Sequence, residues 1–199
     1  MEQFKRLDDL TLPDSRWTAW VLVDATTGAA RPYTISDYYA TIAEIEVVVR
    51  APDDIREHFQ TAKHLMMYAW YVYRFGVVAE MHAYASLEYA LRTRFDLAGT
   101  SKPSSLRRLL RRAIEEGLLT DANFPSYQRK TVPAIVTGND VLDANLAARL
   151  ERNETQSRVA LLEHAIPELR NMFAHGSFTL WRGSPDVLRV VAEAINQLF

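Results

Sequence analysis

Residues 169–176, Leu-Arg-Asn-Met-Phe-Ala-His-Gly, combine side chains that are suited to metal-free chemistry on a phosphodiester. Arg170 carries a permanent, fork-shaped cation for phosphate, His175 can exchange a proton near neutral pH, and Asn171 can orient either group by hydrogen bonds. In metal-independent RNA cleavage a base takes the 2′-hydroxyl proton, the oxygen attacks the adjacent phosphorus, and a cation stabilises the developing charge. These three residues are therefore the candidate catalytic group.

The spacing of this group is weak evidence by itself. The chain has 19 Arg and 5 His among 199 residues, so an Arg followed five positions later by a His is expected about 0.5 times by chance. Arg158 and His164 form a similar pair. Five residues of a straight helix turn by about 500°, so Arg170 and His175 converge only where the helix ends or where two chains meet. The competing interpretation is that His175 caps the last turn and Arg170 makes a surface ion pair.

A polar stripe recurs every four residues in an earlier helical segment: Glu80, Tyr84, Glu88 and Arg92. Glu88 and Arg92 have the favourable i,i+4 order for an ion pair. Because apolar residues flank the stripe on both sides, it is expected at a helix interface. It is interpreted either as an ordinary stabilising pair or as a network that orients a catalytic Arg or His.

A basic run provides the third candidate, with arginines at positions 107, 108, 111 and 112. Helical geometry places Arg108, Arg111 and Arg112 on one face and three leucines opposite. Between Arg92 and Lys130 there are nine basic and four acidic residues, whereas the whole chain has a net charge of −2. Arg107, Arg108, Arg111 and Arg112 are therefore candidate RNA contacts, and a solvated helix face is the equally weighted alternative.

Helices must position these residues. Apolar periodicity, capping residues and Gly or Pro punctuation predict an all-α, up-and-down bundle with helices near residues 36–45, 53–73, 77–97, 106–116, 139–152, 154–174 and 185–198. Ser36 or Asp37 is the predicted cap of the first helix. Residues 1–34 favour a short β-hairpin or an extended wrap. The predicted organisation is an N-terminal extension over residues 1–50 and a helical domain over 51–199, with little regular structure in residues 118–138.

Composition excludes several classes of function. The 48% hydrophobic content suits one globular domain, and the absence of Cys removes thiolate metal sites and cysteine nucleophiles. The seven glycines lack the spacing of dinucleotide-binding and phosphate-binding loops. The charged first six residues and the short apolar runs predict a cytoplasmic protein with no membrane partner. We expect neither a metal nor a cofactor.

Residues 169–176, together with Leu-Glu-Tyr-Ala-Leu-Arg at 87–92, resemble the HEPN superfamily. Its hallmark is an Arg, a polar residue and a later His, with a Glu-x-x-x-Lys/Arg pair in an earlier helix. Arg170, Asn171 and His175 match the first element, and Glu88 with Arg92 matches the second. Short stretches such as Ala-Lys-His-Leu at 62–65 also look like uncharacterised bacterial members. The likeness covers roughly residues 53–199.

This resemblance implies a HEPN-type bundle and a homodimer that faces two Arg/His motifs across a cleft. In catalytic members it implies a metal-independent endoribonuclease that leaves a cyclic phosphate and a 5′-hydroxyl. His175 would then be the base or acid, Arg170 the phosphate ligand and Asn171 the orienting residue, while Glu88 and Arg92 support the site. Some relatives are toxins held by a nucleotidyltransferase antitoxin, so a toxin or stress or defence role is expected. Other relatives are non-catalytic, and the alternative is a helical dimerisation module without RNase activity.

Overall fold

A computed structural model describes residues 4–24, 26–97, 104–125, 135–136, 157–174 and 184–199, and it is mostly helical, as the sequence predicts. Within these ranges lie helices α1 (Ile35–Ala43), α2 (Asp53–Tyr68), α3 (Phe75–Arg94), α4 (Leu106–Glu115), α5 (Arg158–Ala174) and α6 (Pro185–Leu198). Three short strands accompany them: β1 (Val21–Val23), β2 (Ala30–Pro32) and β3 (Ile135–Val136). The predicted helix at 139–152 lies outside the described residues.

Short polar residues begin three of these helices. Thr34 caps α1 in a capping box with Asp37, so the helix starts before the predicted caps Ser36 and Asp37. Ser105 accepts from the amide of Arg108 at the start of α4. Ser184 caps α6, whose first residue is a proline. After α4, Gly117 adopts a φ of 70°, a conformation that glycine permits without strain.

Helix α3 is the centre of the bundle. It packs most extensively against α2, then against α6, and it also contacts α4 and α5. The predicted hairpin of two long helices is therefore present, but α2 ends at Tyr68 and not at Tyr73. Beyond it, the carbonyl of Ala69 accepts from Trp17 Nε1 at 3.1 Å and that of Trp70 accepts from the amide of Asp14 at 2.9 Å. These carbonyls bind the N-terminal segment in place of a further helical turn.

The N-terminal hairpin predicted from the sequence is confirmed, and it gains a third strand. β1 pairs antiparallel with β2, with Val23 opposite Ala30. On its other side β1 pairs antiparallel with β3, with Leu22 opposite Ile135. Residues 118–138, where little regular structure is predicted, thus contribute the two-residue strand β3, because an edge of the distant hairpin supplies its pairing partner.

One hydrophobic core includes residues from both sides of position 50. Trp17 is 4% exposed, and its ring stacks on Trp70 with 5.3 Å between ring centroids. The ring of Tyr38 lies against the Trp17 ring, and the Tyr38 hydroxyl donates to the carbonyl of Met66 at 2.8 Å. Trp17 and Tyr38 thus anchor the N-terminal segment on the α2–α3 hairpin through aromatic contacts.

The described helices include none with the length and apolar character needed to cross a bilayer.

Candidate functional site

A groove of about 580 Å³ lies where α3, the start of α4 and the end of α5 meet. Helix α3 contributes Glu88, and the start of α4 contributes Arg107. Helix α5 contributes Arg170 and Asn171. The remaining lining residues are Ser104, Ser105, Leu106, Pro167 and Glu168. Members of all three sequence candidates therefore line one groove.

Arg170 and Glu88 are in contact across this groove, although they are 82 positions apart in the chain. The Nη2 atom of Arg170 lies 3.5 Å from Oε2 of Glu88, and its Nη1 atom lies 3.5 Å from Oδ1 of Asn171. The Arg170 side chain is 45% exposed and that of Glu88 is 22% exposed. The carboxylate holds one edge of the guanidinium, and much of the arginine side chain stays accessible from solvent.

The stripe on α3 runs from the core to this groove, as expected for a helix interface. Glu80 is 2% exposed, and its Oε1 accepts from the amide of Ser184 at 2.7 Å, at the start of α6. Burial, together with the charge of Glu80, raises the pKa of Tyr84, which therefore stays neutral. Arg92 donates to the carbonyl of Leu97 at 3.1 Å, past the end of α3. The stripe thus joins α3 to both α5 and α6.

Three of the four arginines in the basic run of α4 form ion pairs. Arg107 pairs with Glu168 at 3.1 Å and Arg111 with Glu163 at 2.8 Å, so both reach α5. Arg112 pairs with Glu116 at 2.7 Å, and its guanidinium lies 4.0 Å from the centre of the Phe95 ring. The hydrogen bond from Arg111 holds the pKa of Glu163 below its ordinary value.

Arg108 differs from these three because it is exposed and has no ion-pair partner among the described residues. It lines a second groove of about 470 Å³ together with Arg111 and Arg112. Ser104 lines both grooves, so they are neighbours. Of the arginines predicted to bind RNA, Arg107 faces the groove of Arg170 and the other three face the adjacent one.

Sequence reasoning missed Glu163 and Glu168, the α5 carboxylates that face α4. Both precede Arg170 on α5, outside the 92–130 window in which basic residues were in excess. No local signal links them to arginines more than 50 residues earlier. His175, the third member of the predicted catalytic group, lies outside the described residues. Within the described part of the chain, no three His, Asp or Glu residues cluster as metal ligands.

Comparison of the chain with protein-family models, curated proteins and solved structures finds no match.

Proposed function

We propose that this chain is a HEPN-like, metal-independent endoribonuclease that binds RNA in the groove between α3, α4 and α5. The observation that supports this proposal best is the contact between Arg170 and Glu88. The two sequence elements that suggested an RNase, at 87–92 and 169–176, are distant in the chain. In the structure Glu88 from the first element and Arg170 and Asn171 from the second line one groove. A shared site explains why both elements are present in the same protein.

In the proposed reaction Arg170 binds a non-bridging oxygen of the scissile phosphate. Glu88 restrains the guanidinium, which lowers the entropy lost when phosphate binds. His175 acts as base or acid: the 2′-hydroxyl proton goes to a base while the 2′-oxygen attacks phosphorus. The bond to the 5′-oxygen breaks and this oxygen takes up a proton, giving a 2′,3′-cyclic phosphate and a 5′-hydroxyl. Asn171 orients the groups that bind the phosphate.

The proposed assembly is a homodimer in which two copies of the 170–175 motif face a common cleft. A toxin or stress or defence role and a nucleotidyltransferase antitoxin are proposed with it, on the same resemblance.

A second candidate function is a non-catalytic dimerisation or interaction module. The ion pairs of α4 favour it, because Glu168, Glu163 and Glu116 neutralise three of the four arginines that would attract RNA. These pairs are on the protein surface, where an exchange of carboxylate for phosphate costs little. They weaken the electrostatic attraction to RNA without blocking the groove.

The decisive experiment incubates structured RNA with the purified chain in excess EDTA and compares the wild type with Arg170→Ala and His175→Ala. We expect the wild type to produce fragments with 2′,3′-cyclic phosphate ends, and each variant to cleave at least 100-fold more slowly. Arg56→Ala, which changes an arginine of α2 remote from the groove in sequence and paired with Asp53, is the matched control and should cleave at the wild-type rate.

Equal trace cleavage by the wild type and both variants would overturn the catalytic proposal and leave the interaction module. Glu88→Gln separates the supporting role from the catalytic one. This variant keeps the shape of the side chain but not its charge, and it should cleave more slowly than the wild type yet faster than Arg170→Ala.

A further inference from the structure

Two histidines form a stack in the seam between α2 and α3, on a part of α3 that the groove does not use. The rings of His58 and His82 are 4.2 Å apart between centroids and only 9° from parallel. Both side chains are partly buried. Beneath them Ser86 is fully buried, and its hydroxyl lies 2.8 Å from Nδ1 of His58. The α2–α3 interface, the most extensive of the bundle, thus contains two titratable rings in direct contact.

The hydrogen bonds of Ser86 define which nitrogen of His58 carries its proton. A serine hydroxyl has one proton, and Ser86 donates it to the carbonyl of His82 at 2.9 Å. Toward His58 the same oxygen must accept, so Nδ1 of His58 carries the hydrogen in the neutral ring. Nε2 is then the nitrogen that takes up a second proton. Protonation there places a full positive charge on a ring stacked against His82.

Among the described residues, His82 has no partner for one of its ring nitrogens. Its Nε2 atom is buried and has no hydrogen-bond partner in the described part of the chain. The charged imidazolium carries a hydrogen on both nitrogens, so one N–H group would stay buried without an acceptor. Burial, reinforced by the charge that His82 would carry, lowers the pKa of His58 below its ordinary value.

Within the described residues, no ion pair joins a carboxylate to either ring of the stack. Tyr89 on α3 also lies against the stack, with 6.0 Å between its ring centroid and that of His58, and its hydroxyl binds Asp54 on α2. One oxygen of Asp54 accepts from the Tyr89 hydroxyl and the other from the amide of Ile55. This hydrogen bond raises the pKa of Tyr89, which stays neutral. Both oxygens of Asp54 therefore bind groups other than the two histidines.

We propose that the His58–His82 stack is an acid-sensitive contact that holds α2 against α3 when both rings are neutral and loosens the pair at mildly acidic pH. The direction in which stability changes with pH follows from proton linkage. The unfolded chain takes up protons on its histidines near pH 6.5, whereas the buried and stacked ring of His58 resists protonation. Stability from this contact is therefore complete above pH 6.5 and is lost as the pH falls below it. The proposal does not depend on RNase activity.

Urea unfolding at pH 7.5 and pH 5.5 tests the proposal, with His82→Phe and His58→Phe as variants that keep a flat ring but cannot be protonated. For each histidine that stays neutral to pH 5.5, the unfolding constant rises about tenfold between the two pH values. We expect that rise to be smaller in each variant than in the wild type, because each variant removes one ring of the stack. His64→Gln removes an exposed histidine from α2 and should keep the wild-type rise.

If the unfolding constant of both Phe variants rises between pH 7.5 and pH 5.5 as much as that of the wild type, the proposal is overturned. A measurement on the unmodified chain covers the case in which a variant does not fold. The Cε1 proton of His58, followed by NMR in the folded wild type, should titrate below pH 6.5. Titration of His58 at or above pH 6.5 would overturn the proposal as well.

Discussion

The aromatic cluster around Trp17 and the groove around Arg170 show two different uses of side-chain contact. Trp17 is 4% exposed, and its ring packs on the rings of four aromatic residues: Trp70, Tyr38, Tyr33 and Tyr73. Its only polar side-chain atom, Nε1, donates to the carbonyl of Ala69. Arg170 is 45% exposed, and its contacts to Glu88 and Asn171 are both 3.5 Å long. Stability therefore resides mainly in the first region, and the groups available to a ligand lie in the second.

The contrast also explains how the groove can hold several charges. Exposed ion pairs contribute little to the free energy of folding, so their partners can be exchanged for those of a ligand. Aromatic burial in the cluster supplies stability that does not depend on the groove's charges. Substitutions in the two regions should consequently have separable effects, and the predictions below test this separation.

The largest effect is expected for Trp17→Ala. Removing this side chain leaves a cavity between α1, the Trp70 ring and the N-terminal segment, which should lower the free energy of unfolding by about 3–5 kcal/mol. Urea denaturation followed by circular dichroism measures the change. Phe4→Ala changes an aromatic residue that is 98% exposed in the same N-terminal segment and should leave the stability unchanged. Equal effects of the two substitutions would contradict the role given to the cluster.

A smaller loss is expected for Glu80→Ala, because Glu80 is the buried end of the polar stripe. Its carboxylate accepts from the amide of Ser184, and a hydrogen bond to a charged group contributes about 2 kcal/mol. The same denaturation experiment measures the loss, with the exposed Glu57→Ala on α2 as control. A loss no greater than that of the control would show that Glu80 belongs energetically with the exposed groove and not with the core.

The smallest effect is expected for Arg111→Gln, which removes the ion pair with Glu163 between α4 and α5. The pKa of Glu163 lies below its ordinary 4.5, so the pair contributes fully above pH 4.5 and is lost as the pH falls through the lowered value. Calorimetry should show a slightly lower Tm than the wild type at pH 7 and a smaller difference at pH 3.

Arg108→Gln is the matched control for Arg111→Gln, since it removes an arginine of the same helix that has no ion-pair partner among the described residues. Its Tm should equal that of the wild type at both pH values. A pH-independent difference between the wild type and Arg111→Gln would show that the substitution acts through packing and not through the pair.

Much of the helical architecture was predictable because its signals are local. Capping residues and apolar periodicity depend on neighbours within four positions, so α4 and α6 begin at the predicted positions, Leu106 and Pro185, and α3 begins close to its expected start. The end of α2 was not predictable. The residues after Tyr68 continue its apolar pattern, but their carbonyls accept from Trp17 and Asp14, which lie more than 50 positions earlier.

The candidate site was likewise predictable only in part. Residue types alone identified Arg170, Asn171 and Glu88 as chemically useful, and the structure brings these three side chains to one groove. The excess of positive charge between residues 92 and 130 was also visible. The partial neutralisation of this charge was not predictable, because Glu163 and Glu168 approach α4 only when α5 packs beside it.

By itself, therefore, the sequence determined most of the described helices, the N-terminal hairpin and the identity of the reactive side chains, since each depends mainly on residue type and short-range order. Only the tertiary structure decided which of these side chains meet. It joined Glu88 to Arg170, paired the arginines of α4 with α5, and stacked His58 on His82. The physical reason is that Coulombic and ring contacts act over a few ångströms in space, whatever the separation along the chain.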